Sequence, residues 1–232
     1  FTADATDPAG NTASATGTVH VDTELSVTVE TAGIEGDGIV NAVERSDGVV
    51  LTGQTEGNAM VEVNWAGSIR TVRANSSGEW SANFPAGSVP EGTLNSQVSV
   101  KATDAAGNTA STTGMVKIDT ELSVTVNTDD VTSDGVVNFV ERQDGITLTG
   151  ATEGGASVEV TFNGVSRTTT ADSSGNWSAD WPASAVPDGE RLAAVQVKAT
   201  DAAGNTATTN GNVKIDTFVN RLKFGDQKVE GD

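Results

Sequence analysis

A long internal repeat is the feature that most constrains how this chain can fold. Residues 22–118 align without a gap on residues 119–215, a period of 97 residues with 60 identities. A unit that recurs as a whole folds the same way each time and buries its own apolar residues. We assign 22–118 and 119–215 to two repeats, 1–21 to the C-terminal strands of a preceding repeat, and 216–232 to a divergent following unit or tail.

Alternating apolar residues run through each repeat, and clusters of Gly, Asn, Asp and Pro separate them. In E-L-S-V-T-V, the side chains of Leu25, Val27 and Val29 fall on one face of an extended chain. Six more segments of this type begin at Val49, Ala59, Ser68, Glu79, Gln97 and Thr112. Seven short strands per repeat predict an all-β fold of tandem immunoglobulin-like antiparallel β-sandwiches.

Large aromatic residues recur at matching positions of the two repeats. Trp80 and Trp177 both follow an S-S-G-x motif inside an alternating strand. This placement predicts that both indole rings are buried between the sheets, since a large ring contributes much of the area that a core buries. The alternative is that these tryptophans form an exposed platform for a sugar.

Composition excludes several classes of function. The chain has no cysteine and one histidine, His20, so thiolate catalysis, zinc fingers and a disulfide framework are excluded. A net charge of −19 opposes binding to nucleic acid. No apolar run reaches the roughly 18 residues of a membrane helix, so we expect no membrane insertion. The carboxylates recur with the repeat, and two identical active sites in tandem would be unusual, so we expect no enzyme activity.

The recurrent carboxylates sit in loops rich in Gly and Asn, and their oxygens are ligands that calcium prefers. We call residues 33–44 and 130–141 the A–B turns, because they connect the first two predicted strands. The second A–B turn matches the ligand spacing of an EF-hand loop, with Gly135 at the sharp bend. The predicted calcium ligands there are Asp130, Thr132, Asp134, the carbonyl of Val136, Asn138 and Glu141.

The first A–B turn keeps part of this pattern. It retains Asp37, Asn41 and Glu44, and it has Glu35 at the third ligand position and Gly33 at the first. We therefore also consider calcium here. A purely structural turn explains both copies as well, because Asp can cap a short helix, Asn accepts left-handed backbone and Glu can be solvated.

A second acidic element is the motif T-D-A-A-G-N-T. Its residues 104–108 and 201–205, which we call the F–G loops, lie between the last two predicted strands of each repeat, and T-D-P-A-G-N-T is a variant at the N-terminus. Asp104, Asn108, Asp201 and Asn205 are candidate calcium ligands. A tight hairpin, in which Asp forms an Asx-turn and Gly adopts positive φ, is the alternative explanation.

The junctions between repeats give a more specific prediction. In immunoglobulin topology the chain enters a sandwich at the end that carries the B–C and F–G loops. Asp119 should therefore lie near Glu153, Asp201 and Asn205. Asp22 should likewise lie near Glu56, Asp104 and Asn108. Carboxylates that converge in this way repel one another unless a cation neutralises them, so we predict calcium at both junctions.

The sequence resembles a known group of proteins. The D-T-E-L-S-V-T-V opening, the D-G-x-V-N-x-x-E stretch, the S-S-G-x-W-S strand and the A-T-D-A-A-G-N-T-A hairpin are similar to the bacterial Ig-like repeats of giant RTX-type and biofilm-associated surface adhesins of Gram-negative bacteria. The resemblance implies a secreted, calcium-stabilised stalk at the cell surface, which projects a binding domain for cell adhesion or biofilm formation. It implies neighbouring repeats as partners and contacts with host or biofilm components through other domains. A carbohydrate-binding module or an accessory domain of a secreted hydrolase remains the alternative.

Overall fold

A computed structural model describes residues 1–218 of the chain; residues 219–232, which make up most of the predicted following unit or tail, lie outside the described part. The chain divides into two compact units. The first comprises Phe1–Val40, Glu44–Pro90 and Leu94–Ile118. The second comprises Asn41–Val43, Glu91–Thr93 and, among the described residues, 119–218.

The N-terminal residues form a hairpin of two strands, and each repeat adds seven strands. The hairpin pairs β1 (Thr2–Thr6) with β2 (Thr12–Thr16). The first repeat contains β3 (Ile39–Val40), helix α1 (Ala42–Asp47), β4 (Val49–Gln54), β5 (Met60–Trp65), β6 (Ser68–Arg73), β7 (Glu79–Phe84), β8 (Thr93–Thr103) and β9 (Thr109–Asp119).

The second repeat follows the same order. It contains β10 (Val136–Val137), helix α2 (Glu141–Asp144), β11 (Ile146–Ala151), β12 (Ser157–Phe162), β13 (Val165–Thr170), β14 (Asn176–Trp181), β15 (Glu190–Thr200) and β16 (Thr206–Asp216). Short 3₁₀ turns lie at Ile34–Gly36, Ala86–Ser88 and Ala183–Ala185. The two α-helices have six and four residues, and none of the helices in residues 1–218 is long and apolar enough to cross a membrane.

Each repeat is built from two sheets, which confirms the predicted all-β sandwich fold. The larger sheet of the first repeat has the order β3-β9-β8-β5-β6, and the smaller one pairs β4 with β7. The second repeat has the orders β10-β16-β15-β12-β13 and β11-β14. All pairs are antiparallel except β3 with β9 and β10 with β16, which are parallel over two residues each.

The predicted strand over E-L-S-V-T-V differs from the structure. Residues 24–30 form no regular strand. The Thr28 and Glu30 amides donate to the Gln54 and Thr52 carbonyls of β4 at 2.8 and 2.9 Å, and the Gln54 amide donates to the Thr28 hydroxyl at 3.1 Å. The segment is nevertheless anchored by its side chains, because Val27 is buried and Leu25 and Val29 pack against the core. The apolar alternation therefore predicted the buried face correctly, although it did not predict how few backbone amides of this segment hydrogen-bond to β4.

Buried aromatic rings occupy the core of each repeat. Trp80 and Trp177 are each 2% exposed, as predicted. A Cβ atom at Gly53 would overlap the Trp80 ring and the Thr28 carbonyl, so glycine is required at this close approach. Trp65 packs edge-on against Phe84 with the ring centroids 5.3 Å apart. Phe162 and Trp181 form the same pair in the second repeat with the indole on the other strand.

We expect Trp65→Phe to lower the free energy of unfolding more than Trp80→Phe does. The Trp65 indole N–H donates to the Ser96 hydroxyl at 2.9 Å, whereas the buried Trp80 N–H has no hydrogen-bond partner in the described structure. Trp65→Phe would leave the buried Ser96 hydroxyl without its donor, at an extra cost of about 1 kcal/mol or more. Urea unfolding in the presence of a chelator measures this difference.

Trp177→Phe is the matched control, since its indole N–H is also buried without a partner. Its cost should equal that of Trp80→Phe. Equal losses for Trp65→Phe and Trp80→Phe would contradict the assigned role of the Ser96 hydrogen bond.

Candidate metal centres

The structure brings together two groups of three carboxylates, one group per repeat. We call Asp22, Glu56 and Asp104 the first acidic trio. We call Asp119, Glu153 and Asp201 the second acidic trio. Within each trio, one carboxylate oxygen from every residue lies within 4.8 Å of the others. The convergence expected from immunoglobulin topology is therefore present for these six side chains.

Three separate parts of each repeat supply a trio. In the second repeat, Asp119 ends β9 and leads into the repeat, Glu153 follows β11, and Asp201 follows β15. β11 and β15 belong to the two different sheets of the sandwich, and their ends lie at the same end of it. A carboxylate placed at each of them projects toward one small volume, as the predicted topology required.

The F–G loop fixes the buried member of each trio. Asp201 is 8% exposed, and its two carboxylate oxygens accept hydrogen bonds from the backbone and side-chain N–H groups of Asn205, both at 2.9 Å. The Asn205 side-chain amide also donates to the Asp119 carbonyl at 2.8 Å. Asn205 thus ties the loop to the incoming chain. Its amide nitrogen, rather than its oxygen, faces the carboxylate.

The first repeat has the same loop chemistry. Asp104 accepts from the Asn108 backbone and side chain, each at 2.8 Å, and the Asn108 amide donates to the Asp22 carbonyl at 3.1 Å. Burial opposes ionisation of Asp104, but the hydrogen bonds from Asn108 and from the Gly107 and Ala106 amides together outweigh it and hold the pKa of Asp104 below its ordinary value of 3.8. The loop therefore stabilises a charged Asp. Asn108 and Asn205, both predicted as ligands, act here as hydrogen-bond donors to that charge.

Repulsion within the second acidic trio is seen in the pKa of Glu153. Loss of hydration raises the pKa of the Glu153 carboxyl above its ordinary value of 4.5, and the charges of Asp119 and Asp201 raise it further. Two neighbouring carboxylates that make a third harder to ionise form a region of concentrated negative potential. Such a region favours a cation that supplies positive charge to all three groups.

The second A–B turn is held by hydrogen bonds within the turn. The Asp134 carboxylate accepts from the Val136 amide at 3.0 Å and from the Thr132 hydroxyl at 3.1 Å, and these two bonds lower the pKa of Asp134. Asn138 accepts from the Glu141 amide, and the Glu141 carboxylate accepts from the Asn138 amide, as in a capping box. A helix-capping turn accounts for these side chains.

The first A–B turn has a similar arrangement, in which Asp37 accepts from the Ile39 amide and Asn41 from the Val43 amide. Burial raises the pKa of Glu35, and the charge of Glu44 raises it further. Within residues 1–218, the groups of three acidic side chains that converge to 4.8 Å do not include the A–B turns. Calcium in the A–B turns, at Asp37, Asn41, Glu44, Asp130, Asp134, Asn138 and Glu141, stays a prediction.

Sequence analysis missed two groups that contact the second site. The Thr93 hydroxyl donates to the Asp119 carboxylate at 3.0 Å. The Ala42 amide donates to the Asn205 side-chain oxygen at 2.9 Å. Thr93 is not repeated, since Glu190 stands at its position in the second copy, and a backbone amide has no signature in a sequence. No pattern in the residues pointed to either group.

Comparison with known proteins gives a consistent result. The profile of a family described as bacterial Ig-like domain matches residues 26–120 and 121–217. No curated protein matches the chain. The chain is similar to a solved Ca²⁺-stabilised adhesin that helps an Antarctic bacterium reach out and bind ice, with 32% identity and a TM-score of 0.53. The match covers 93% of this chain and 56% of that one, so this chain spans little more than half the length of the adhesin structure.

A second solved structure comes from work on host cell surface retention of a 1.5-MDa bacterial ice-binding adhesin. It is 27% identical, with a TM-score of 0.54, and the match covers 94% of this chain and 74% of that one. Both similarities extend over nearly the whole of this chain. The chain is thus similar over nearly its whole length to two solved structures of bacterial ice-binding adhesins.

We expect Glu153→Gln to stabilise the protein without calcium and to destabilise it with calcium. The folded-state pKa of Glu153 lies above the unfolded one, so the ionised side chain opposes folding at neutral pH. This opposition disappears as the pH falls through the folded pKa toward 4.5. In chelator at pH 7, the variant should gain up to about 1 kcal/mol, the usual limit for an exposed charge. Thermal unfolding at pH 7 and pH 4 measures the gain, which should vanish at pH 4.

Glu159→Gln is the control, because Glu159 is an exposed residue of β12 outside the acidic trios. It should change stability equally with calcium and with chelator. A Glu153→Gln variant that behaves in the same way as Glu159→Gln would show that the second acidic trio has no special electrostatic cost.

Proposed function

Because the chain belongs to the family of bacterial Ig-like domains, we propose that it is a non-catalytic, calcium-stabilised extender segment of a large secreted bacterial cell-surface adhesin. Its work is mechanical: tandem sandwiches project a binding domain away from the cell for adhesion or biofilm formation. Neighbouring repeats are its direct partners. Host or biofilm surface components are bound by other domains of the same protein.

The observation that carries this proposal is the pair of acidic trios. A calcium ion with ligands at about 2.3–2.6 Å can hold oxygens that are up to about 5 Å apart, and the carboxylate oxygens of each trio lie within 4.8 Å. All donors are hard oxygens, which suits calcium. Asp119, Glu153 and Asp201 would hold one ion, and Asp22, Glu56 and Asp104 would hold another. The ions would supply the positive charge that the trios lack.

Calcium also fits a secreted protein. Extracellular modules bind calcium with dissociation constants of roughly 10⁻⁴–10⁻³ M, so they fill outside the cell and are empty in the cytosol. The net charge of −19 opposes compaction by self-repulsion. A chain of this composition is therefore less stable before export and gains stability where calcium is abundant. The adhesin similar to this chain at 32% identity is itself Ca²⁺-stabilised, which supports the same role here.

The alternative function, sugar binding by a lectin-like module or hydrolase accessory domain, relied on exposed tryptophans. Trp65, Trp80, Trp177 and Trp181 are all buried, with at most 2% of each residue exposed. Their rings pack between the sheets and present no face to a sugar. The tryptophans therefore give no support to the alternative of sugar binding.

We expect calorimetric titration of the full chain with calcium to give two ions per molecule. Asp22→Asn and Asp119→Asn should each abolish or strongly weaken one of them, because each removes a charged ligand from one trio. At a hundred times the dissociation constant, each ion should add about 2.7 kcal/mol to the free energy of unfolding. Thermal unfolding in calcium and in chelator provides the independent measure.

Asp134→Asn is the matched control for the A–B turn, since its carboxylate accepts hydrogen bonds inside that turn. It should leave the stoichiometry at two. A third ion that disappears in this variant would place calcium in the A–B turn as well. A melting curve that is the same in chelator and in ten-millimolar calcium would refute the calcium-dependent part of the proposal.

A further inference from the structure

Gly92 and Thr93, where β8 begins, hold the two residues at which the chain enters the second repeat. The Gly92 amide donates to the Thr120 hydroxyl at 2.9 Å, and the Thr120 amide donates back to the Gly92 carbonyl at 3.2 Å. The Thr93 hydroxyl donates to the Asp119 carboxylate at 3.0 Å. Residues Glu91–Thr93 and 119–120 belong to the same compact unit. Three hydrogen bonds therefore converge on Asp119, a member of the second acidic trio, and on the residue that follows it.

The reciprocal pair of glycine and threonine recurs 97 residues later in the chain. The Gly189 amide donates to the Thr217 hydroxyl at 2.7 Å, and the Thr217 amide donates to the Gly189 carbonyl at 3.3 Å. Both glycines adopt positive φ, 100° at Gly92 and 91° at Gly189, which is a backbone conformation that favours glycine. A threonine follows the junction Asp in both places, and its hydroxyl accepts from the same partner in both. The contact is therefore part of the repeat and not a feature of one turn.

These hydrogen bonds hold Asp119 on one side, and the F–G loop holds it on the other. The Asn205 side-chain amide donates to the Asp119 carbonyl at 2.8 Å. The Thr93 hydroxyl holds the Asp119 carboxylate, and the Gly92 contact holds Thr120, which follows it in the chain. Both the main chain and the carboxylate of Asp119 are therefore ordered by groups that are not themselves carboxylates.

Order of this kind matters at a site whose members repel one another. Bringing the Asp119 carboxylate close to those of Glu153 and Asp201 costs side-chain entropy as well as electrostatic energy. A hydrogen bond that already orders the carboxylate removes part of the entropic cost from the step in which a cation binds. The hydroxyl groups of Thr93 and Thr120 carry no charge, so they order Asp119 without adding to the repulsion.

We propose that Thr93 and Thr120 are positioning residues of the second acidic trio, which hold Asp119 in the geometry that a calcium ion requires. The inference rests on the proposed function, and each threonine acts through Asp119. Hydrogen-bond partners outside the ligand shell commonly change metal affinity by about 10- to 100-fold. Loss of either hydroxyl should therefore weaken calcium binding at the second site and leave the first site as it is.

The test replaces each threonine by valine, which keeps the shape of the side chain and removes the hydroxyl. Thr93 is exposed and lies in a strand, where valine is readily accommodated. The full chain is titrated with calcium in the Asp104→Asn background, in which the first trio lacks a charged ligand and the second site is measured. Thr93→Val and Thr120→Val should each weaken that site about tenfold. Thr93→Ser and Thr120→Ser keep the hydroxyl and should bind calcium as tightly as the parent.

Thr217→Val is the matched control. Thr217 is 7% exposed, and its hydroxyl both accepts from the Gly189 amide and donates to the Asp188 carboxylate at 2.8 Å. Its loss should therefore destabilise the fold more than the loss of the exposed Thr93 hydroxyl does. Because Thr217 follows an Asp that belongs to neither acidic trio, Thr217→Val should leave the affinity of the second site unchanged. In the Asp201→Asn background, which leaves the first site, Thr93→Val and Thr120→Val should bind calcium as the parent does.

The outcomes separate the failure of this inference from the failure of the proposed function. A valine variant that binds calcium at the second site as tightly as the parent would overturn the role of that threonine, while calcium binding stands. Equal weakening in Thr217→Val, or serine variants that do not restore the affinity, would assign the loss to the fold and would also overturn the inference. Thr93→Val provides the test even where Thr120→Val does not fold, because Thr93 is exposed. Absence of calcium binding by the parent in both backgrounds would overturn the inference and the proposed function together.

Discussion

Carboxylates held within 4.8 Å of one another repel, and each repeat of this chain brings three of them together where the polypeptide enters the sandwich. Two unit charges at 4 Å repel by about 4 kcal/mol at an effective dielectric constant of about 20. The F–G loop offsets part of this repulsion by directing N–H groups at its own Asp, which keeps the pKa of Asp104 low. In the second trio, besides the loss of hydration, the charges of Asp119 and Asp201 still raise the pKa of Glu153, so repulsion among these three carboxylates persists. The calcium ion proposed for each trio would correct the remaining imbalance.

The sequence was sufficient to predict the sandwich fold, the buried tryptophans and the convergence of the acidic residues. Those features follow from local alternation, from the repeat and from the end of the sandwich at which its loops meet. Two features of the fold were not predictable in the same way. The parallel pairing of β3 with β9 covers only two residues, and residues 24–30 donate to β4 through two backbone amides, those of Thr28 and Glu30. Both features involve too few residues for an alternating pattern of apolar residues to reveal them in the sequence.

The A–B turns show a different limit of sequence reasoning. The ligand spacing of an EF-hand loop and a helix-capping turn require nearly the same residues, because both use short oxygen-bearing side chains around a glycine with positive φ. In the structure, Asp134 and Asn138 direct their oxygens at backbone amides of the turn. Spacing alone could not separate these explanations. The structure shows the hydrogen bonds that a capping turn requires, and calcium at the A–B turns stays a prediction.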